Sequence, residues 1–284
     1  MQKLRLMSQN MWSTGHKNLP AWEEMGLDCT AVTRMKGHFQ ILKELMPDVL
    51  GCQECNGLMQ QELMFAISKA GLPYAMLWGN ETALLYRADK LEVVDSCYFL
   101  YPKEIDGVEG SFNNGNTKGY NLGLFRSKET GKTFLFGTTH LWWKHEGQGE
   151  SWQQPGSNQA RRDQIEMLIR RMEDFDKQYG PSPKVIVGDL NCQIGSLALN
   201  YALGEAGYAH AHDLAVEYAE EGAGYCRCGD RPADHWEPLN WEKALDHVLI
   251  KDAPEGWVRR LERYTPDCYL HLSDHAPVYV DVEM

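Results

Sequence analysis

No run of roughly 18 or more apolar residues, the length a membrane-spanning helix needs, occurs anywhere in the 284 residues. The opening Met1-Gln2-Lys3-Leu4-Arg5-Leu6 lacks the apolar core and small-residue cleavage site of a secretory leader and reads as the start of a strand. Positive charge is scarce: 28 Lys and Arg face 40 Asp and Glu, a net charge of −12. Sequence-independent binding to long nucleic acid needs basic surface, so this balance argues against it, short of a local basic patch or a bridging divalent cation. Internal repeats, low-complexity tracts and a domain linker are missing too, so residues 1–284 are expected to form a single domain. The eight cysteines are scattered. Without a leader they imply reduced thiols and a cytoplasmic protein. Cys52-x-x-Cys55 has the spacing of a redox pair or of half a zinc site. Cys226-x-Cys228, with His235 following, would supply the other half, but its spacing is wrong for a typical zinc knuckle.

What is present is ordinary globular material, 43% hydrophobic and 24% charged, in a chain long enough to bury most of its apolar surface without disulfides or structural metal. The most informative stretch is Val185-Ile186-Val187-Gly188-Asp189-Leu190-Asn191-Cys192. Three β-branched residues mark a buried strand, and Gly188 permits a sharp exit. Asp189 and Asn191, two apart, would face the same way in extended geometry. That pair suits a hydroxyl, a water or a metal; the alternative is an Asx turn closing the strand.

In order, a first strand ends at Gln9-Asn10, and residues 13–29 are irregular. A helix over 30–46 places Val32, Met35, Phe39, Leu42 and Leu45 near one face before Pro47 stops it. Asp48 to Glu54 forms a second strand, and 57–70 a helix with Gly71 as C-cap. Tyr74–Trp78 and Thr82–Arg87 form a hairpin about Gly79-Asn80, and Leu91–Tyr98 continues its sheet. Residues 102–118 read as a surface loop. Tyr120–Ser127 and Lys132–Thr139 pair across a turn, the latter ending in His140. Residues 141–157 carry Trp142, Trp143 and Trp152 and either wall a pocket or fold over the core. A helix over 158–179 shows Ile165, Leu168, Met172, Phe175 and Tyr179 at steps of three and four, with Ser157 as N-cap. A short helix lies near 197–206, loop dominates 209–240, and strands run over Leu245–Ile250 and Val278–Val282.

Polar residues stand at strand tips six times: Asn10, Glu54, His140, Asp189/Asn191, Asp246 and Asp274/His275. If the tips share one sheet edge, the set has the composition of a hard-cation hydrolytic site. Oxygen donors suit Mg²⁺ or Mn²⁺, and a histidine beside a carboxylate suits an oriented general base. Asp274-His275, just before a Pro-led strand, has no evident packing role. His145, His210, His212, His235, His247 and His271 are read as surface or core residues.

Asn10, Gln53-Glu54, Thr139-His140-Leu141, Gly188-Asp189-Leu190-Asn191, Leu245-Asp246-His247 and Ser273-Asp274-His275-Ala276-Pro277 resemble, in this order, the motifs of the endonuclease/exonuclease/phosphatase superfamily. Thr82–Arg87 is similar to its central hairpin. The histidine at 140 resembles the branch of deoxyribonuclease I, deadenylases, neutral sphingomyelinases and inositol phosphatases, where abasic-site endonucleases have a tyrosine. The resemblance implies an α/β fold: a four-layer α/β/β/α sandwich of two mainly antiparallel or mixed sheets packed face to face. It implies metal binding by Glu54 with Asn10 beside it, and Asp274 completing the metal site or holding a metal-bound water. His275 would be the base, oriented by Asp246; Asp189 and Asn191 would position the attacking water and a phosphate oxygen; His140 would donate to a non-bridging phosphate oxygen. The expected activity is Mg²⁺- or Mn²⁺-dependent hydrolysis of a phosphoester, more readily a phosphodiester, in a small molecule, a lipid headgroup or a short nucleic acid. A nuclease acting on DNA or RNA is the alternative within that class. A non-catalytic binding module that kept the fold, or a zinc or thiol-redox protein built on Cys52 and Cys55, are the alternatives outside it.

Overall fold

Alternation along the strands decides the layers. In the strand Thr133–His140, Phe134 and Phe136 enter one apolar cluster while Leu135 between them enters another. In Lys184–Asp189, Val185 and Val187 go one way and Ile186 the other. Both faces of these strands are buried, as the period of two requires when a sheet is covered on each side.

The computed structural model describes residues 1–218, 223–226, 228–238 and 243–284. Part of the loop expected over 209–240 therefore lies outside the described residues. Strands in chain order are β1 Lys3–Asn10, β2 Val49–Gln53, β3 Tyr74–Leu77, β4 Leu84–Arg87, β5 Leu91–Leu100, β6 Gly119–Ser127, β7 Thr133–His140, β8 Lys184–Asp189, β9 Ala209–His210, β10 Glu217–Tyr218, β11 Ala223–Cys226, β12 Trp236–Pro238, β13 Asp246–Lys251, β14 Val258–Arg263 and β15 Val278–Glu283. The longer helices are α2 Ala31–Leu45, α3 Gly57–Lys69 and α4 Ser157–Tyr179, with one short helix before them, α1 Pro20–Glu24. One sheet has the order β10-β14-β15-β1-β2-β4-β3, the other β5-β6-β7-β8-β13-β9, and both mix parallel and antiparallel pairs.

Between the sheets, Leu4, Leu6, Val49 and Val280 meet Phe125, Phe134, Phe136, Val187 and Val248. Outside the first sheet, Met7, Leu50 and Leu85 pack on Met35, Ile41, Leu42, Met59 and Leu63 of α2 and α3. Outside the second, Leu122, Leu135, Ile186 and Leu249 pack on Ile165, Leu168, Ile169 and Met172 of α4. The four-layer sandwich expected from the resemblance is thus the architecture.

Several local expectations change. Strand β5 does not continue the β3–β4 sheet; it pairs with β6 in the other one, because the chain crosses between sheets over Ala88–Lys90 and Leu91 then faces the shared core. A helix, α1, interrupts the irregular 13–29 segment and buries Trp22. The α4 N-cap is Gly156 in a left-handed conformation, and Ser157 is already helical. Strand β14 fits no expectation, since Arg259 and Arg260 break up its apolar pattern, yet Val258 and Leu261 are buried. Gly188 does not end its strand. It pairs with Thr139 at φ +148°, and a Cβ there would lie 1.9 Å from the Thr139 carbonyl oxygen. Only glycine allows β7 and β8 to approach this closely.

Candidate active site

Sheet register builds the site. Gly119 of β6 stands beside His140 of β7, His140 beside Asp189 of β8, and Asp189 beside Asp246 of β13. Three chemically active side chains thus form a row across the second sheet. On the first sheet, Asn10 pairs with Gln53, which puts Glu54 one step beyond the strand. The antiparallel β15 enters beside β1, and the Ser273 hydroxyl donates to the Asn10 carbonyl at 2.7 Å, bringing Asp274 and His275 to the same rim.

Across the gap between the sheets the tips meet. Asn10 donates its amide to Asp189 at 3.0 Å and more weakly to Glu54 at 3.4 Å, while its Oδ1 accepts from the Trp12 N–H at 3.0 Å. The Ser13 N–H donates to the other Glu54 oxygen at 3.1 Å. His140 Nε2 lies 3.6 Å from Asp189 and 4.0 Å from Glu54. His275 Nδ1 lies 2.7 Å from Asp246 Oδ2, while its Nε2 is 3.8 Å from Asp189 and 4.0 Å from Asp274. Asn191 does not run parallel to Asp189. At φ +49° its N–H donates to Asp189 Oδ1 at 2.9 Å, the Asx turn, and its amide donates to the Leu141 carbonyl at 3.1 Å. Glu54 and Glu81 also have left-handed φ, a conformation costly for a side-chain-bearing residue and often found at functional sites.

A profile of the endonuclease/exonuclease/phosphatase family matches residues 33–275. The chain belongs to the endonuclease/exonuclease/phosphatase family. Solved structures of the same fold include a mannosyl-6-phosphatase of Bacteroides thetaiotaomicron, 18% identical with a TM-score of 0.73, covering 99% of this chain and 100% of that one. The human nocturnin catalytic domain with bound sulfate is 16% identical with a TM-score of 0.62, covering 99% and 94%. D. rerio TDP2 with a single-stranded DNA product is 15% identical with a TM-score of 0.63, covering all of both chains. At these identities the likeness is one of fold. No curated protein sequence matches the chain.

In this family member the carboxylates crowd one another. Burial pushes Asp189 up to about 6, with His275 drawing it down and Asp246 up. Asp274 is raised by burial, opposed by His275 and reinforced by Glu54, and Glu81 by burial and Glu54. Asp246 is held below the usual carboxylate range: burial opposes this, but the His275 charge and hydrogen bond prevail. His275 mirrors it, raised well above the usual histidine range against burial by Asp246, Asp274 and Asp189. Burial and the Lys118 charge hold His140 well below that range, and burial lowers Lys118 in turn, opposed by Glu54 and Asp189.

Hard oxygen donors from Glu54 and Asp189 with His140, and from Asp189 and Asp246 with His275, come within 4.8 Å of one another. Carboxylates this crowded and this buried fit a divalent cation, which would relieve their mutual repulsion. Asp274 sits at the rim of the set, its side chain 37% exposed.

Lys118 is invisible to motif reading. Its ammonium is buried, 2.5 Å from His140 Nε2. An ammonium has donors and no acceptor, so Lys118 donates and His140 Nε2 accepts. The only sequence signal is its place: one residue before the strand that pairs with β7 at His140. Of the three tryptophans after His140, Trp142 is buried against Phe112, whereas Trp143 is 44% and Trp152 46% exposed. His210 and His247 are core residues 3.2 Å apart. Cys52 and Cys55 lie in the α2–α3 cluster, Cys226 and Cys228 in a different one with Cys29, so the two zinc half-sites do not meet.

Proposed function

We propose that residues 1–284 are one domain of a divalent-metal-dependent phosphoester hydrolase, acting preferentially on a phosphodiester of small or short substrates. The observation that carries it is the 2.7 Å Asp246–His275 pair set against the His140–Asp189–Asp246 row. Asp246 fixes the imidazole with Nδ1 toward itself, leaving Nε2 to face the gap where Asp189 and Asp274 converge. There it can take a proton from a water that Asp189, itself held by Asn10 and the Asn191 N–H, orients. The ammonium of Lys118, which donates to His140 Nε2, would present positive charge and its remaining hydrogen-bond donors to a non-bridging phosphate oxygen, taking the donor role expected of His140 and acting where charge grows in the transition state. Glu54 and Asp274, with Asn10 beside Glu54, would hold Mg²⁺ or Mn²⁺. The cation would supply Lewis acidity and neutralise phosphate charge.

The net charge of −12 supports a small ester, a lipid headgroup or a short nucleic acid over a long duplex. Eight unpaired thiols support a reducing, cytoplasmic setting. The test is hydrolysis of bis-p-nitrophenyl phosphate, sphingomyelin, inositol phosphates, cyclic nucleotides, DNA and RNA with EDTA and with added Mg²⁺ or Mn²⁺. Activity lost in chelator and restored by metal is expected. Full activity in EDTA with no metal by elemental analysis overturns the metal, and no hydrolysis of any ester overturns the enzyme.

A further inference from the structure

Arg34 on α2 is 1% exposed, and among the described residues no carboxylate is bonded to it. A buried guanidinium without an ion partner is costly, and here backbone carbonyls compensate it. Nε donates to the Leu272 carbonyl at 2.9 Å and Nη1 to the Trp12 carbonyl and the Thr14 hydroxyl, each at 2.7 Å. Nη2 bridges the carbonyls of Met11 and Leu272. The guanidinium also stacks on the Trp12 ring, 4.5 Å from its centroid.

These partners are the residues that follow Asn10 and precede Asp274. Trp12 is held at φ +49°, where a large side chain is strained. The turn this makes aims its N–H at Asn10 Oδ1 and the next N–H, of Ser13, at Glu54. On the other side, Leu272 leads into Ser273, whose hydroxyl returns to the Asn10 carbonyl. His38 approaches the same Leu272 oxygen at 3.2 Å and is braced by Gln9 at 2.6 Å. One planar fork therefore ties the segment that follows Asn10 and holds Glu54 through the Ser13 N–H to the segment that leads into Asp274.

We propose that Arg34 is a positioning residue for the metal site: by clamping residues 11–14 to Leu272 it sets how far Glu54 and Asn10 stand from Asp274. The inference rests on the metal-dependent reading above. It is a geometric role and not one of charge, since a cation beneath the carboxylates would by itself repel a metal ion. Lysine keeps the charge but not the fork that serves several carbonyls at once.

The test is Mn²⁺ binding to the full chain, without substrate, followed by electron paramagnetic resonance, for wild type, Arg34→Lys, Arg34→Met and Glu54→Gln. Circular dichroism confirms that each is folded at the temperature used. Removing a group that supports the ligands of a metal costs about 10–100-fold in affinity, and that range is expected for both Arg34 variants. If the methionine variant does not fold, the lysine variant carries the test. Wild-type affinity in Arg34→Lys, with or without a lowered Tm, overturns the inference while leaving the metal site in place. Equal binding by wild type and Glu54→Gln overturns the metal reading itself, and the inference with it.

Discussion

Replacing Asp246 by asparagine keeps the size of the side chain and removes its charge. The substitution acts on the 2.7 Å bond between Asp246 Oδ2 and His275 Nδ1. Hydrogen bonds to charged groups contribute about 1.5–3 kcal/mol. At about 1.4 kcal/mol per tenfold in rate, Asp246→Asn should lower kcat by about 10–150-fold if the whole bond is expressed in the transition state. His275→Ala removes the proposed proton acceptor itself and should cost about 10²–10⁴-fold, with KM little changed. The double variant should be no slower than His275→Ala, because the two residues act as a unit. The pH profile supplies a second readout. Despite burial, Asp246 and its neighbours raise His275, so the free base grows only as pH rises through that raised value. Removing the Asp246 charge lowers it, and the acid limb of kcat should move to lower pH. The assay is hydrolysis of bis-p-nitrophenyl phosphate at saturating Mn²⁺. Multiplicative losses in the double variant, or an acid limb that stays in place, would refute the oriented base.

Lys118→Met should reduce kcat by about 10²–10³-fold, as loss of a transition-state donor does; a rise in KM at constant kcat would instead assign Lys118 to uniform substrate binding. Trp143→Ala, altering a ring that is 44% exposed, should raise KM more than it lowers Tm. Unchanged kinetics with a lower Tm would make that ring a structural contact of its loop and not a pocket wall. Native thiol titration should find Cys268 reactive at once and the six buried cysteines protected, with all eight free after denaturation. Stoichiometric zinc that disappears with Cys52→Ser would contradict this.

The layers and the site's framework are legible because both follow from strand period: Val185, Ile186 and Val187 announce a strand covered on each face, and a polar residue at such a strand's tip has few packing reasons to be there. The crossing of β5 to the other sheet is not legible, because short-range pattern does not say which sheet a strand joins. Strand β14 hides behind Arg259 and Arg260, whose exposure is set by its neighbours and not by its own period. Lys118 lies in a stretch rich in glycine and asparagine, and only pairing of Gly119 with His140 brings it to the site. Extended geometry would set Asp189 and Asn191 side by side, but the left-handed turn at Asn191 makes one the hydrogen-bond donor to the other. Arg34 carries no signal, since most of its hydrogen bonds go to main-chain carbonyls that no motif encodes.

The meeting of strand tips from opposite layers has a mechanical side. Asn10, Glu54, Asp274 and His275 ride on the first sheet; His140, Asp189, Asp246 and Lys118 ride on the second or its edge. A ligand held by both groups is a rivet through the sandwich: sliding one sheet against the other pulls its donors apart. Occupancy then adds its binding free energy to the cohesion of the two layers, and the sheets' relative motion sets how tightly the rivet can be held.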